Sequence, residues 1–546
     1  MKFKQLTVFA SLFSLSMIGC TTPEQVDSII HNGKIYTVDS SNSIQQALAV
    51  KDGKIVAIGS NDEILKQFAA KNIYNVEGKA VYPGFIDGHA HFVNYGLTQQ
   101  QVDLVGSKSW EEIVERVKEF AQKHPNEWII GRGWDQNLWE NTAFPTNNLL
   151  NEAFPDKPVF LVRVDGHAAI ANKKALDLAA ITKPVKVIGG EFITQNGKLT
   201  GVLIDNAIDE VGKAIPRETK DDIIKAVNIA QKNCFAQGLT TIVDCGTPSS
   251  IVDIFSELSD KKYLKMGLYV MLRDTKEDLE YLLKHGIIKK DRLHVRGMKI
   301  MADGALGSRG ACLLHDYSDQ PQWKGFLLNT IHHYDSVANI LVQNGFQMNT
   351  HAIGDSANRM ILSVYAKYLK ADNDLRWRVE HAQVVHPNDF KYFAQYSIIP
   401  SIQPTHATSD WSWAGERLGA EREKGAYAYK DLLKQVGWVT LGTDFPVEDI
   451  SPFKTFYASV VRKDMNGKPE NGYQMENALS RETTLKGMTI WGAKAIFEEK
   501  EKGSLEPGKF ADIIVLDQDL MQVAEDKILN TKVVYTFKKG ELVHGK

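Results

Sequence analysis

The sequence predicts an α/β protein: a (β/α)8 TIM-type barrel with an inserted α/β subdomain, plus a small β-sandwich domain built from both chain ends. Three observations carry this. Through the middle of the chain, apolar strand-like runs alternate with amphipathic helical stretches, the pattern of a parallel sheet wrapped by helices. Both ends are instead dense in short β-prone runs. At 546 residues there is room for one large core and a smaller one beside it.

From Val26 to Val81 the β-prone runs are Ile29-Ile30, Lys34 to Val38, Ala47 to Val50 and Lys54 to Ile58. Asn32-Gly33 and Asp52-Gly53 separate them and have the chemistry of two-residue hairpins. Asp512 to Leu516, Val533 to Phe537 and Glu541 to Val543 give the C-terminus the same character. Chain termini commonly lie close together, so residues 24–82 and 505–546 are expected to form one composite sheet domain. Between them, residues 83–504 are expected to form the barrel. Its strands are read at Val81–Ile86, Thr240–Val243, Gly267–Leu272, Val295–Met301, Phe346–Asn349, Trp377–Val379, Ile398–Ile402 and Val439–Leu441. A ninth run, Val159–Val164, is one too many for eight strands. The stretch from His91 to Thr219 is also too long for one βα unit, and contains a capped helix at Ser109 and another strand-like run at Trp128. Residues of about 97–218 are therefore expected to form an insertion. Among the helices, Thr219 caps a stretch with Ile223, Ile224, Val227 and Ala230 at helical spacing, closed by Gly238.

Composition narrows the function. A formal charge of -3 leaves no polybasic face, which argues against nucleic acid as a partner. The four cysteines, Cys20, Cys234, Cys245 and Cys312, form no C-x-x-C metal motif, and free thiols are expected for the last three.

The chemistry concentrates at strand ends. Gly84-Phe-Ile-Asp87-Gly-His89-Ala-His91 sets two imidazoles at i and i+2, the spacing that points both to one side of a strand, where they can share a divalent metal. Lys299 sits in the apolar run Val295 to Met301, an expensive place for an ammonium unless it pairs with Asp303, reaches the rim or is chemically altered. His351 and His381 each fall between a β-run and a helix, and Asp444 closes the last strand in Gly442-Thr-Asp-Phe-Pro.

These motifs, with Gly503-Ser-Leu-Glu-Pro-Gly-Lys-Phe-Ala-Asp512, Arg417-Leu-Gly and Ala426-Tyr-Ala-Tyr, resemble the amidohydrolase superfamily, and within it amidohydrolase family 3, which includes N-substituted formamide deformylases. The resemblance implies that His89 and His91 bind one metal with Asp444, and that His351 and His381 bind a second. It implies that Lys299 carries a carbamate bridging the two, and that Asp444 moves the catalytic proton. The donors are N and O without thiolate, so one or two divalent ions are expected, zinc by default. Val164-Asp-Gly-His167 resembles a segment placed over the active site, where His167 either touches substrate or caps structure. Trp134 is read as pocket wall or subdomain packing, and Asp303 as a substrate contact, a ligand-orienting group or a turn residue.

The expected function is hydrolysis of a C–N bond in a small non-peptide amide, of the N-acyl or N-formyl amine type. Two alternatives stay open: a deaminase of the same superfamily, and a binding lipoprotein without catalysis. The latter arises from the leader: Lys2 and Lys4 precede an apolar stretch from Leu6 to Ile18, too short to span a bilayer comfortably, and Met17-Ile-Gly-Cys20 resembles a bacterial lipoprotein cleavage box. That implies a signal peptide over residues 1–20, export, and a membrane anchor through a lipid on Cys20, at the periplasm or cell surface. A homodimer is compatible with the sequence, which leaves oligomeric state open.

Overall fold

A computed structural model of the protein describes residues 22–124 and 128–545. The leader and Cys20 lie outside the described residues. Eight parallel strands follow one another in chain order around a barrel: β1 (Phe85–Ala90), β2 (Leu239–Thr247), β3 (Gly267–Arg273), β4 (Leu293–Met301), β5 (Gln347–Ala352), β6 (Arg378–His381), β7 (Ile399–Ile402) and β8 (Thr440–Leu441). The strands read as apolar runs because both faces are covered: one by the barrel interior, the other by helices. Helix Lys220–Ala236 starts where Thr219 and Asp222 form a reciprocal capping box, and the chain turns out of it at Gly238, whose φ is +77°. Its buried face, Ile223, Val227, Ala230 and Cys234, packs into the main core.

The last and first strands meet through the backbone just beyond their ends. Asp444 N donates to His89 O at 2.8 Å, and His91 N donates to Phe445 O at 2.8 Å. Glycines make this approach possible. A Cβ on Gly442 would lie 2.5 Å from His89 N, and one on Gly88 would lie 2.7 Å from Leu441 O.

Two sequence expectations change here. The run Val81–Ile86 is two strands. Ala80–Pro83 belongs to the small domain, and β1 begins at Phe85. Pro83 has no N–H to continue a ladder, and Gly84 N donates to Asp512 O instead. Asn32-Gly33 also makes no hairpin. The strand before it, Glu24–His31, lies in one sheet, and the strand after it, Lys34–Tyr36, lies in another. Gly33 sits at the crossing, where a Cβ would be 2.9 Å from Val76. Asp52-Gly53, with φ of 52° and 75°, does join two antiparallel neighbours, Ala47–Lys51 and Lys54–Gly59.

The first of these sheets is N-terminal throughout. The second aligns Ala80–Pro83 between Ile513–Leu516 and Lys34–Tyr36, so it mixes the two ends. Between the sheets lie Ile30, Leu48, Ile55, Val81, Ile513 and Phe537, all buried. Each such apolar side chain contributes about 1.5–3 kcal/mol by leaving water.

A third sheet of six strands, from Val102–Asp103 to Lys198–Asp205, stands between β1 and β2 in sequence and includes Val159–Arg163. It buries side chains on both faces, Trp134 and Ile170 on one, Phe160 and Phe192 on the other. Cys234, Cys245 and Cys312 are free, the first two buried. No described helix is long and apolar enough to cross a membrane.

Candidate metal centre

The C-terminal ends of the barrel strands open into a cavity of about 1310 Å3, lined by residues of the barrel loops and of the inserted sheet. At its floor, β1, β4, β5, β6 and the segment after β8 converge. His89 is the penultimate residue of β1. His91 lies one residue past the strand, at the start of helix Phe92–Thr98. Their rings are 5.7 Å apart, and both Nε2 atoms approach Asp444 Oδ1, at 3.6 Å from His89 and 3.1 Å from His91. His381 ends β6, its ring 4.7 Å from those of His89 and His351. Lys299 is buried on β4, with Nζ 3.1 Å from His89 Nε2.

Asp444 sits at the centre of this cluster in left-handed backbone, φ 64°; His381 and Ala382 share that region at 71° and 43°. Non-glycine residues hold such conformations at a cost of order 1–3 kcal/mol each, which the surrounding structure must supply. Burial would raise the Asp444 carboxyl, but His89, His406, His91 and His381 hold it well below the usual carboxylate range. Burial, with His89 as the next cause, keeps His381 far below the ordinary imidazole value, and His351 follows, with His381 as its neighbour. Neutral imidazoles beside an ionised carboxylate are the protonation states that ligate metal.

Two groups of three place their donor atoms within 4.8 Å of one another: His89 with His91 and Asp444, and His381 with His406 and Asp444. Asp444 Oδ1 and His381 Nδ1 are buried without a hydrogen-bond partner, although each is a strong acceptor or donor. Such a donor set fits a divalent ion of zinc type, and the unpartnered atoms are the ones a cation would engage.

Several residues stand where sequence reasoning had not put them. His406, on helix Pro404–Asp410 after β7, bridges Asp444 Oδ2 and Glu448 Oε1 at 3.1 Å each. Burial opposes its charge, but the two carboxylates hold it up to about 10. It joins His381 and Asp444 in the second triplet, but with both ring nitrogens donating to carboxylates it carries a charge and offers no lone pair to a metal while those contacts stand. His351, expected to bind the second metal with His381, keeps its ring 4.7 Å from that of His381, and its Nε2 faces Gly304 O at 3.4 Å and Asp303 Oδ1 at 3.7 Å. Glu380 Oε2 lies 2.5 Å from His89 Nδ1, and Arg378 Nε is 2.6 Å from its other oxygen. Against the effect of burial, Arg378 and His89 keep Glu380 ionised, so it fixes the ring that presents Nε2. His406 carries the same strand-end signal as His381 but lies four residues beyond its apolar run. Glu380 stands beside His381 in the sequence and is legible as the buttress of His89 only once the strand order is known.

The insertion contributes His167, which lines the cavity 5.0 Å from His351, ring to ring, with Nδ1 2.5 Å from Asp205 Oδ1. Burial opposes a charge on it, and Asp205 raises it above the ordinary imidazole value. Trp134 does not form pocket wall. It is fully buried in the subdomain core, its indole N–H donating to Leu161 O at 3.0 Å. Asp303 does not line the cavity either. Fully buried, it accepts the N–H groups of Cys312, Ile353 and Gly354 at 2.8–3.0 Å and so shapes the backbone beside His351.

Imidazoles and a central carboxylate gathered at the C-terminal rim of a (β/α)8 barrel define a metal-dependent hydrolase. Residues 72–544 match the amidohydrolase family, and the chain belongs to it. The protein LONG AFTER FAR-RED 3 of Arabidopsis thaliana is 32% identical over 99% of this chain and 95% of its own length. The N-substituted formamide deformylase of Arthrobacter pascens is 26% identical over 94% of this chain and 98% of that one. The crystal structure of an uncharacterized metal-dependent hydrolase from Pyrococcus horikoshii OT3 superposes with a TM-score of 0.76 at 29% identity, covering 91% of this chain and 99% of its own.

Proposed function

We propose that this protein hydrolyses the C–N bond of a small non-peptide amide of the N-acyl or N-formyl amine type. The observation that carries it is Asp444, an ionised carboxylate ringed by four imidazoles at the floor of a large cavity. The deformylase relative, alike along almost its full length, supports the formamide end of that range.

A bound dication, taken here as zinc, would lower the pKa of water towards neutrality and polarise an amide carbonyl. His406 occupies Asp444 Oδ2, which leaves Oδ1, on the side of His89 and His91, to take the proton of the attacking water. Asp444 then returns that proton to the leaving nitrogen. Asp205 engages Nδ1 of His167, so Nε2 is the nitrogen left to hydrogen-bond the oxyanion as the carbonyl carbon becomes tetrahedral. Lys299, its ammonium beside a ligand imidazole, is proposed to carry the carbamate, which exchanges a repelling charge for an anionic donor. The chain is further proposed to be exported and anchored through Cys20.

Elemental analysis of the purified protein, run beside a panel of N-formyl and N-acyl amines read for amine release, tests the assignment. Stoichiometric metal and amine release are expected. Ammonia release from amino-substituted rings, with no amine from the panel, would replace this reading with the deaminase one.

A further inference from the structure

Six lysines and arginines line the cavity, and their partners differ. Arg163 is clasped by Asp135 and Asp165; Lys213 pairs with Glu210 at 2.7 Å, Lys454 with Asp449 at 2.7 Å, and Arg273 with Asp278 at 3.7 Å. Lys299 faces His89. Arg132, on the inserted strand Ile129–Trp134, remains. Among the described residues no carboxylate lies within 4.0 Å of its guanidinium. It makes one recorded hydrogen bond, from Nη2 to Val164 O at 2.9 Å, and its Nε is buried with no partner. Asp165, the nearest acidic neighbour in sequence, has both oxygens committed, to the Arg163 guanidinium and to His167 N.

A guanidinium does not lose its proton under physiological conditions, so an unpaired one in a desolvated wall favours whatever planar anion reaches it. Its fork matches a carboxylate with two parallel hydrogen bonds. The wall is shaped around it. Gly166, in left-handed backbone at φ +79°, passes so close that a Cβ there would lie 3.2 Å from Nη2. Burial opposes the charge of Arg132, and Asp165 first, then Asp444, favour it without pairing with it. We infer that Arg132 binds a carboxylate carried by the substrate, so that the amide hydrolysed is an acylated amine with an acid group some atoms away from the scissile bond. This rests on the amide reading above and names the substrate class within it.

The test uses N-formylglycine, N-formyl-β-alanine and N-formyl-γ-aminobutyrate, which vary the reach, each against its primary carboxamide. Binding is measured by calorimetry on the metal-loaded Asp444→Asn protein, with and without Arg132→Gln or Arg132→Lys, and turnover is measured in the wild-type background. At least one acid should bind ten-fold or more tighter than its carboxamide. The gap should vanish in Arg132→Gln and persist in part in Arg132→Lys, with KM rising in Arg132→Gln far more than kcat falls. Equal binding of acids and carboxamides, or a preference that survives Arg132→Gln, overturns the inference. Turnover of acids and carboxamides alike would do so while leaving the hydrolase reading standing. Arg132-dependent acid binding with no turnover in any member would remove the N-formyl end of the amide reading and leave this subsite.

Discussion

Asp444 is shared by both donor triplets, yet one oxygen is tied to His406 and the other faces His89 and His91. Asp444→Asn keeps the shape and the hydrogen-bonding reach but loses the basic oxygen. Metal content should stay largely intact while kcat falls by about 10²–10⁴-fold; unchanged turnover would remove Asp444 from proton transfer. Glu380 works one step back, through His89 Nδ1. Glu380→Gln should weaken metal binding by about 10–100-fold in a chelator competition titration, and should also lower the urea midpoint, because the buried Arg378 loses its carboxylate. The motifs around His89, His91, His381 and Asp444 marked these residues in the sequence because each closes an apolar run with a metal-capable side chain. His406 escaped because a helical turn intervenes between its strand and its ring. Trp134 and Asp303 misled for a common reason: both stand beside cavity-lining residues in sequence, but their side chains turn inward to satisfy backbone groups.

At the scale of the element, the seam between β8 and β1 decides whether the site exists. Two backbone hydrogen bonds across it, from Asp444 to His89 and from His91 to Phe445, set the carboxylate against the imidazoles, and Gly442 is the residue that lets the two segments touch. Gly442→Ala would force a methyl into His89 N and O, at 2.5 and 2.8 Å. Overpacking of this kind costs about 1–3 kcal/mol. The urea midpoint should fall, and metal should be lost with it; a variant of wild-type stability and metal content would show that the seam relaxes freely. The sequence located these strands well because βα periodicity is strong where both strand faces are buried. It erred where the local chemistry was ambiguous. Val81 and Phe85 read as one apolar run until Pro83 and Gly84 are given their donor-poor, close-packed roles, and Asn32-Gly33 satisfies hairpin rules while turning the chain between two sheets.

For the molecule as a whole, the buried His and Asp cluster couples the ion to stability, because the unfolded chain offers no assembled site. At free metal 100 times Kd, binding adds about 2.7 kcal/mol. Exhaustive chelation should therefore lower Tm measurably and zinc should restore it; an unchanged Tm would mean the cluster is held by the barrel alone. The division into a barrel, an inserted sheet and a two-ended sandwich was readable from the density of β-prone runs and from the excess of chain between His91 and Thr219. How the insertion faces the barrel was not, because that depends on loop shapes with no periodic signal, and Arg132 became visible as a wall residue only once the inserted sheet had been placed over the strand ends.

The mixed sheet sets an order on biosynthesis. Ala80–Pro83 finds its antiparallel neighbour only in Ile513–Leu516, so that edge waits, unmatched, while nearly the entire polypeptide is translated. A ribosome that stops short of Ile513 releases a product in which Ala80–Pro83 keeps Lys34–Tyr36 on one side and has no neighbour on the other.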